Sequence, residues 1–335
     1  MKRKGGVMEV QNSISKTIDT AEQEAQYDAC VKKLLSERII LAWILKECVS
    51  EFKQYSIPQI ANDCIEGEPK VAVVAVDQDE LDYVEEIADK QIEGLNTEDT
   101  SIKEGKVYYD IRFDAVTPDT KEPVRLIINV EAQKSDKTPY PLIKRAIYYV
   151  SRMISAQKNK IFTGSHYEKI RKVYSIWILM NVDEEKANTI TKYRIAEEQV
   201  IGNVAEKESN YDLLTVMMLR LGTADKAEDK PILKLLDVLL SADTKPEDKK
   251  EILKTDFDIP MSASMSEEAN IMCNLGEGIR ESAFARGTQA TRMDTVINLM
   301  KSLKLSAEEA VNAMGVPDED KKTLLDMVDN QLAVK

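Results

Sequence analysis

The chain has 335 residues, 43% of them hydrophobic, and a net charge of −13. Size and apolar content exclude a disordered chain and leave room for one large domain beside a smaller one. The longest apolar run, Ile39 to Leu45, is far short of the roughly 20 residues of a membrane helix. The basic start (Met1, Lys2, Arg3, Lys4) is not followed by an apolar signal core, so a cytoplasmic protein is expected.

The elements follow in chain order. Residues 1–24 are polar and read as a flexible segment. Ala29 to Phe52 is helical: Ile40, Trp43, Ile44, Cys48 and Phe52 form one stripe. Pro58 starts a short helix reaching Ile65 and stopped by Gly67; Val71 to Val76 is β-rich, and Gln78 to Glu104 is acidic with a turn signal at Gly94-Leu95-Asn96. Strands are predicted over Lys106 to Val116 and Val124 to Gln133. A helix runs from Pro141, in its first turn, to Lys158. Further strands are expected at Lys172 to Met180, Thr189 to Ile201 and Tyr211 to Leu221. From Pro231 onward the pattern is helical, and Ser306 with Glu309 makes a capping box for a helix ended by Gly315. These final short helices read as a packing or oligomerisation bundle rather than a helix-turn-helix.

The chemistry must run without histidine pairs, because His166 is the single histidine. Cys30, Cys48, Cys64 and Cys273 fall at no zinc-site spacing and read as reduced thiols. Carboxylates, lysines or a metal remain. The informative stretch is Asp110-Ile111-Arg112-Phe113-Asp114 with Asn129-Val130-Glu131-Ala132-Gln133. On the first strand Ile111, Phe113 and Ala115 share one face and Asp110, Arg112 and Asp114 the other; on the second, Leu126, Ile128, Val130 and Ala132 oppose Arg125, Ile127, Asn129, Glu131 and Gln133. Pro118 and Pro123 bracket a tight connection. If they face each other, Phe113 pairs with Ile128, Ile111 with Val130, and Asp110 lies opposite Glu131, so one register satisfies both faces. Two opposed carboxylates repel unless a cation joins them, and hard oxygens suit magnesium or manganese. The competing reading is a polar sheet surface with Arg112 and Arg125 neutralising the acids. Between Lys134 and Lys172 ten basic residues meet two acidic ones among five aromatic side chains, the pattern of a polyanion-binding face; a solvated helix face is the alternative.

At these residues the chain resembles the PD-(D/E)xK nuclease superfamily, in its bacterial recombination-promoting nuclease and transposase branch. The resemblance rests on Asp110-Ile111-Arg112-Phe113, Asn129 to Gln133 and the helix Ile143 to Tyr149. Ile40 to Leu45 with Glu51-Phe52, Ile65-Glu66-Gly67 and the Ser306 to Pro317 segment support it. It implies an α/β fold with a restriction-endonuclease-like core, a mixed sheet flanked by helices, over 25–225, followed by an all-helical C-terminal region over 226–335. It also implies Mg²⁺- or Mn²⁺-dependent hydrolysis of DNA. Carried over, Asp110 and Glu131 match the metal-binding acids, Glu51 an accessory acid, and Gln133 the position where the superfamily usually has lysine. Arg145 and Tyr149 lie on the helix after the motif, where members often place phosphate-contacting residues, and Arg145, with Lys144 or Arg152, is expected to anchor the flanking phosphates. Glutamine hydrogen-bonds but carries no charge, so the resemblance leaves open a decayed nuclease scaffold that only binds nucleic acid or protein. Two nicks on a duplex are most easily made by a symmetric homodimer.

Overall fold

A computed structural model describes residues 13–71, 98–101, 105–117, 125–223, 227, 229–241, 244–316, 321, 322, 324, 325 and 327–329. The connection between Pro118 and Val124, residues 72–97 with the expected turn at Gly94, and the end of the final helix lie outside them. The chain divides into two compact units, Glu24–Leu275 and Met1–Gln23 with Gly276–Lys335.

The larger unit is built on a mixed sheet. Its strands among the described residues are β1 (Ile65–Val71), β4 (Ile111–Val116), β5 (Arg125–Ser135), β6 (Val173–Asn181), β7 (Thr189–Arg194) and β8 (Leu214–Arg220), in the order β1-β4-β5-β6-β8-β7. β5, β6 and β8 are parallel; the remaining neighbours are antiparallel. A separate hairpin joins β2 (Glu98–Ser101) to β3 (Gly105–Tyr108). The single strand expected over Lys106 to Val116 is therefore two, broken at Tyr109 and Asp110. The predicted β4–β5 register is observed: Ile111 faces Val130 and Phe113 faces Ile128.

Helices cover both faces, which is why β6 is buried from Val173 to Leu179 and reads as an apolar run rather than an alternation. On one face α4 (Leu142–Ser155) sets Ala146, Tyr149 and Met153 against Ile127, Trp177 and Met218. On the other, α1 (Ser13–Ser36), α2 (Arg38–Cys48) and α6 (Pro231–Leu240) pack on Phe113, Ile128, Val130 and Ile176. The helix expected over Ala29 to Phe52 is interrupted at Glu37, whose ψ of 127° leaves the helical region. The break aims Arg38 at the carbonyls of Ala61, Ile65 and Gly67, at 2.7–2.9 Å. α1 also begins at Ser13, inside the segment expected to be flexible. The short α3 (Ile57–Gln59) and the π-turn to Cys64 stand where a helix is expected from Pro58 to Ile65, and Gly67 sits beyond them, at φ +64°, in the bulge of β1.

The strand expected to reach Ile201 stops at Arg194, and α5 (Glu208–Tyr211) takes the start of the one expected from Tyr211. α7 (Pro246–Phe257) and α8 (Ala263–Leu303) follow, and α9 (Ala307–Ala313) carries the predicted Ser306–Glu309 capping box. In the smaller unit Val296, Ala310, Val311 and Val328 form their own apolar cluster. None of the four cysteines is in a disulfide. No helix among the described residues is long and apolar enough to cross a membrane.

Candidate active site

The β4–β5 register, continued one residue past Ile111, brings Asp110 across from Glu131. Two hydrogen bonds fasten them: the Asp110 amide donates to Glu131 Oε1 at 3.2 Å, and the Ala132 amide donates to Asp110 Oδ2 at 2.9 Å. Both side chains are interior, at 4% and 2% residue exposure. Burial, and then the negative charge of Asp110, push the Glu131 carboxyl well above the usual carboxylate range. Two residues back on the same face, Asn129 Nδ2 donates to Ser175 Oγ at 3.0 Å, while its buried Oδ1 has no partner. Trp177, level with Glu131 on β6, donates its indole N–H to the same Ser175 Oγ at 2.8 Å.

Two cations flank the pair. From α4, Arg145 donates to Tyr149 Oη through Nε (3.2 Å) and Nη2 (3.1 Å) and stacks 5.2 Å from the Tyr149 ring and 5.5 Å from that of Trp177. Burial opposes its charge, but Tyr149 and Glu131 outweigh that and hold its pKa up. From α1, Lys32 Nζ lies 2.8 Å from Asp110 Oδ1 and 2.7 Å from Asp28 Oδ2, with its side chain only 4% exposed. Here too burial opposes the charge and the two aspartates outweigh it.

The structure thus gathers Asp110, Glu131 and Arg145, with Gln133 half-buried on the same strand face and Lys144 exposed on α4. Tyr149 (5% exposed) and Arg152 (4%) are largely buried, Tyr149 holding Arg145 and Arg152 lying 5.9 Å from the Tyr148 ring. Glu51 is not with the acids. It receives Lys172 Nζ at 3.0 Å and Tyr174 Oη at 2.8 Å on the opposite face of the sheet, and Lys172 also reaches Asp212 at 2.6 Å. The Lys172 carbonyl accepts from Ile127 N, so Glu131 lies four residues further along β5, about 13 Å away. Arg125 pairs with Glu66, Asp114 pairs with Arg171 and feels the charges of Arg112 and Arg125, and Asp110 is bound by Lys32. Lys32 and Asp28 were missed by the sequence reading. Their one local signal is an i,i+4 charge pair set between the apolar Cys30, Val31, Leu34 and Leu35.

A family model described as PD-(D/E)XK nuclease family transposase matches residues 81–273, more than half of the chain. The chain belongs to this family. No curated protein and no solved structure matches it. The match spans the strands and helix that carry Asp110, Glu131, Gln133 and Arg145, and the mixed sheet flanked by helices is the restriction-endonuclease-like α/β fold that the family implies.

PD-(D/E)XK nucleases generally use divalent metals, and the donors here fit one. Two buried carboxylates press on each other beside an amide oxygen with no protein partner. Among the described residues no three acidic, histidine or cysteine side chains gather. Magnesium is commonly held in this way, by one or two carboxylates with water and phosphate oxygens completing the shell.

Proposed function

We propose that this PD-(D/E)XK family chain is a metal-dependent DNA endonuclease that hydrolyses phosphodiesters at Asp110 and Glu131. The observation that carries the reading is the clasp itself. A backbone amide beside each acid holds the other's carboxylate, so both acids stay together in the interior, where Lys32 and Arg145 offset part of their charge and a divalent cation would offset the rest. Mg²⁺ or Mn²⁺ held there would supply a Lewis acid and an activated water.

The chain's own residues do the remaining work. The amides of Asp110 and Ala132 fix the carboxylate geometry before substrate arrives. Gln133, beyond Glu131 on the same strand face, orients the attacking water through its amide. Arg145, held by Tyr149 and Trp177, stays charged and planar for a flanking phosphate. The buried Trp177 and Tyr149 exclude bulk water beneath it. Substrate approaches past the end of β5, where Gln133 is half-buried and Lys144 exposed.

Asp110→Ala should abolish Mg²⁺-dependent cleavage of plasmid DNA while leaving DNA binding in place. Wild-type protein that binds DNA yet never cleaves with Mg²⁺ or Mn²⁺ would instead support a binding module on a nuclease scaffold.

A further inference from the structure

We propose that Lys32, on α1, is the catalytic cation of this site, presenting its ammonium to the scissile phosphate in place of the charge that Gln133 lacks. The inference rests on the nuclease reading above and assigns it a residue outside the strand motif.

Phosphodiester hydrolysis builds negative charge on the non-bridging oxygens, and a positive hydrogen-bond donor fixed near them lowers that barrier. Gln133 donates hydrogen bonds but carries no charge. Arg145 is charged, but its guanidinium is already engaged by Tyr149 and Trp177 on the Glu131 side. Lys32 is on the other side, bound directly to the Asp110 oxygen that Ala132 does not occupy. A lysine 4% exposed in an apolar helix face is costly to keep without carboxylate partners, and what separates Lys32 from Lys172, which also has two, is that one of its partners is Asp110. Lys32 has two, and the second, Asp28, is 29% exposed and belongs to the same helix. Asp28 therefore keeps the ammonium in place when Asp110 turns to another cation, leaving its donors free for a phosphate oxygen. In the step itself water adds to phosphorus and the P–O bond to the leaving sugar oxygen breaks. The attacking water loses a proton to solvent, and the leaving oxygen takes one from solvent. Lys32 keeps its proton throughout.

The test uses the full chain, plasmid DNA and MnCl₂, with four proteins: wild type, Lys32→Met, Gln133→Lys and the double variant. Lys32→Met keeps the buried stem and should cut kcat about 100-fold. It should also tighten Mn²⁺ binding about tenfold in calorimetry without DNA, because a competing charge on Asp110 is gone. A structural lysine would move the two together. Gln133→Lys should lower cleavage in wild type, where it removes the water-orienting amide and crowds two ammoniums, yet raise it at least tenfold over Lys32→Met, since position 133 shares the face of Glu131. The inference is overturned if Lys32→Met cleaves like wild type, or if its cleavage and Mn²⁺ affinity fall together without rescue. Gln133→Lys alone raising cleavage overturns it as well, a result that stands even if Lys32→Met does not fold. Silence of wild type and of Gln133→Lys alike would instead overturn the nuclease reading, and this inference with it.

Discussion

Replacing Glu131 with glutamine should destroy cleavage and at the same time stabilise the metal-free protein. The glutamine carbonyl can still accept from the Asp110 amide, as Glu131 Oε1 does at 3.2 Å, so the change removes charge and little else. Opposed carboxylates about 5 Å apart repel by about 3 kcal/mol at an effective dielectric of about 20. Lys32 and Arg145 offset part of this, leaving a gain of about 1–2 kcal/mol for the variant at pH 8. The sign depends on pH. The folded Glu131 carboxyl is raised above its ordinary value of 4.5, so the fold holds this proton more tightly than the unfolded chain does. That contribution is complete below pH 4.5 and is lost as pH rises through the folded value. The advantage of Glu131→Gln should therefore vanish near pH 4.5 and grow toward pH 8. Thermal unfolding in EDTA reads it as a rise of roughly 2–8 °C at pH 8. Both tryptophans, Trp43 and Trp177, belong to the Glu24–Leu275 unit, so their fluorescence follows that unit. Saturating Mn²⁺ should then reverse the order, raising wild type and not the variant. A variant less stable than wild type in EDTA at pH 8, or an equal Mn²⁺ shift in both, would refute the reasoning.

Glu51→Gln should leave Mn²⁺ affinity and cleavage within about twofold of wild type but lower stability by about 1–3 kcal/mol, because Lys172 loses one of two carboxylate partners in a half-buried site. Urea unfolding beside a plasmid assay checks both; parallel loss of metal binding would return Glu51 to the site. Lys249, fully buried with Nζ 3.0 Å from the Leu239 carbonyl, has its pKa lowered by burial to about 8. Since the unfolded chain keeps this proton up to 10.5, stability should climb between about pH 8 and 10.5. Lys249→Met should remove that slope and stabilise the protein by about 2 kcal/mol at pH 7, with the lost hydrogen bond already subtracted from the shift. An unchanged slope in the variant's denaturation curves would show that the charge lies elsewhere.

Local periodicity made part of this architecture readable in advance. Alternation over Ile111 to Ala115 and Leu126 to Ala132 specified both faces of the hairpin, and setting Pro118 against Pro123 gave a register that satisfied them, so the meeting of Asp110 with Glu131 was legible without coordinates. The Ser306–Glu309 cap was equally local. What each face meets depends on the docking of distant elements. A helical stripe states that Tyr149 and Arg152 share a side of α4, not that this side is buried. Glu51 follows a well-marked helix, yet its partners, Lys172 and Tyr174, lie on the sheet face away from the acids. Lys32 lies far from Asp110 in the chain, and no spacing rule connects a helix residue to a strand it reaches only through packing. Patterns fix a side chain's direction relative to its own backbone; its partner across the core depends on how separate elements dock, and that placed a buried ammonium on the central acid of the site.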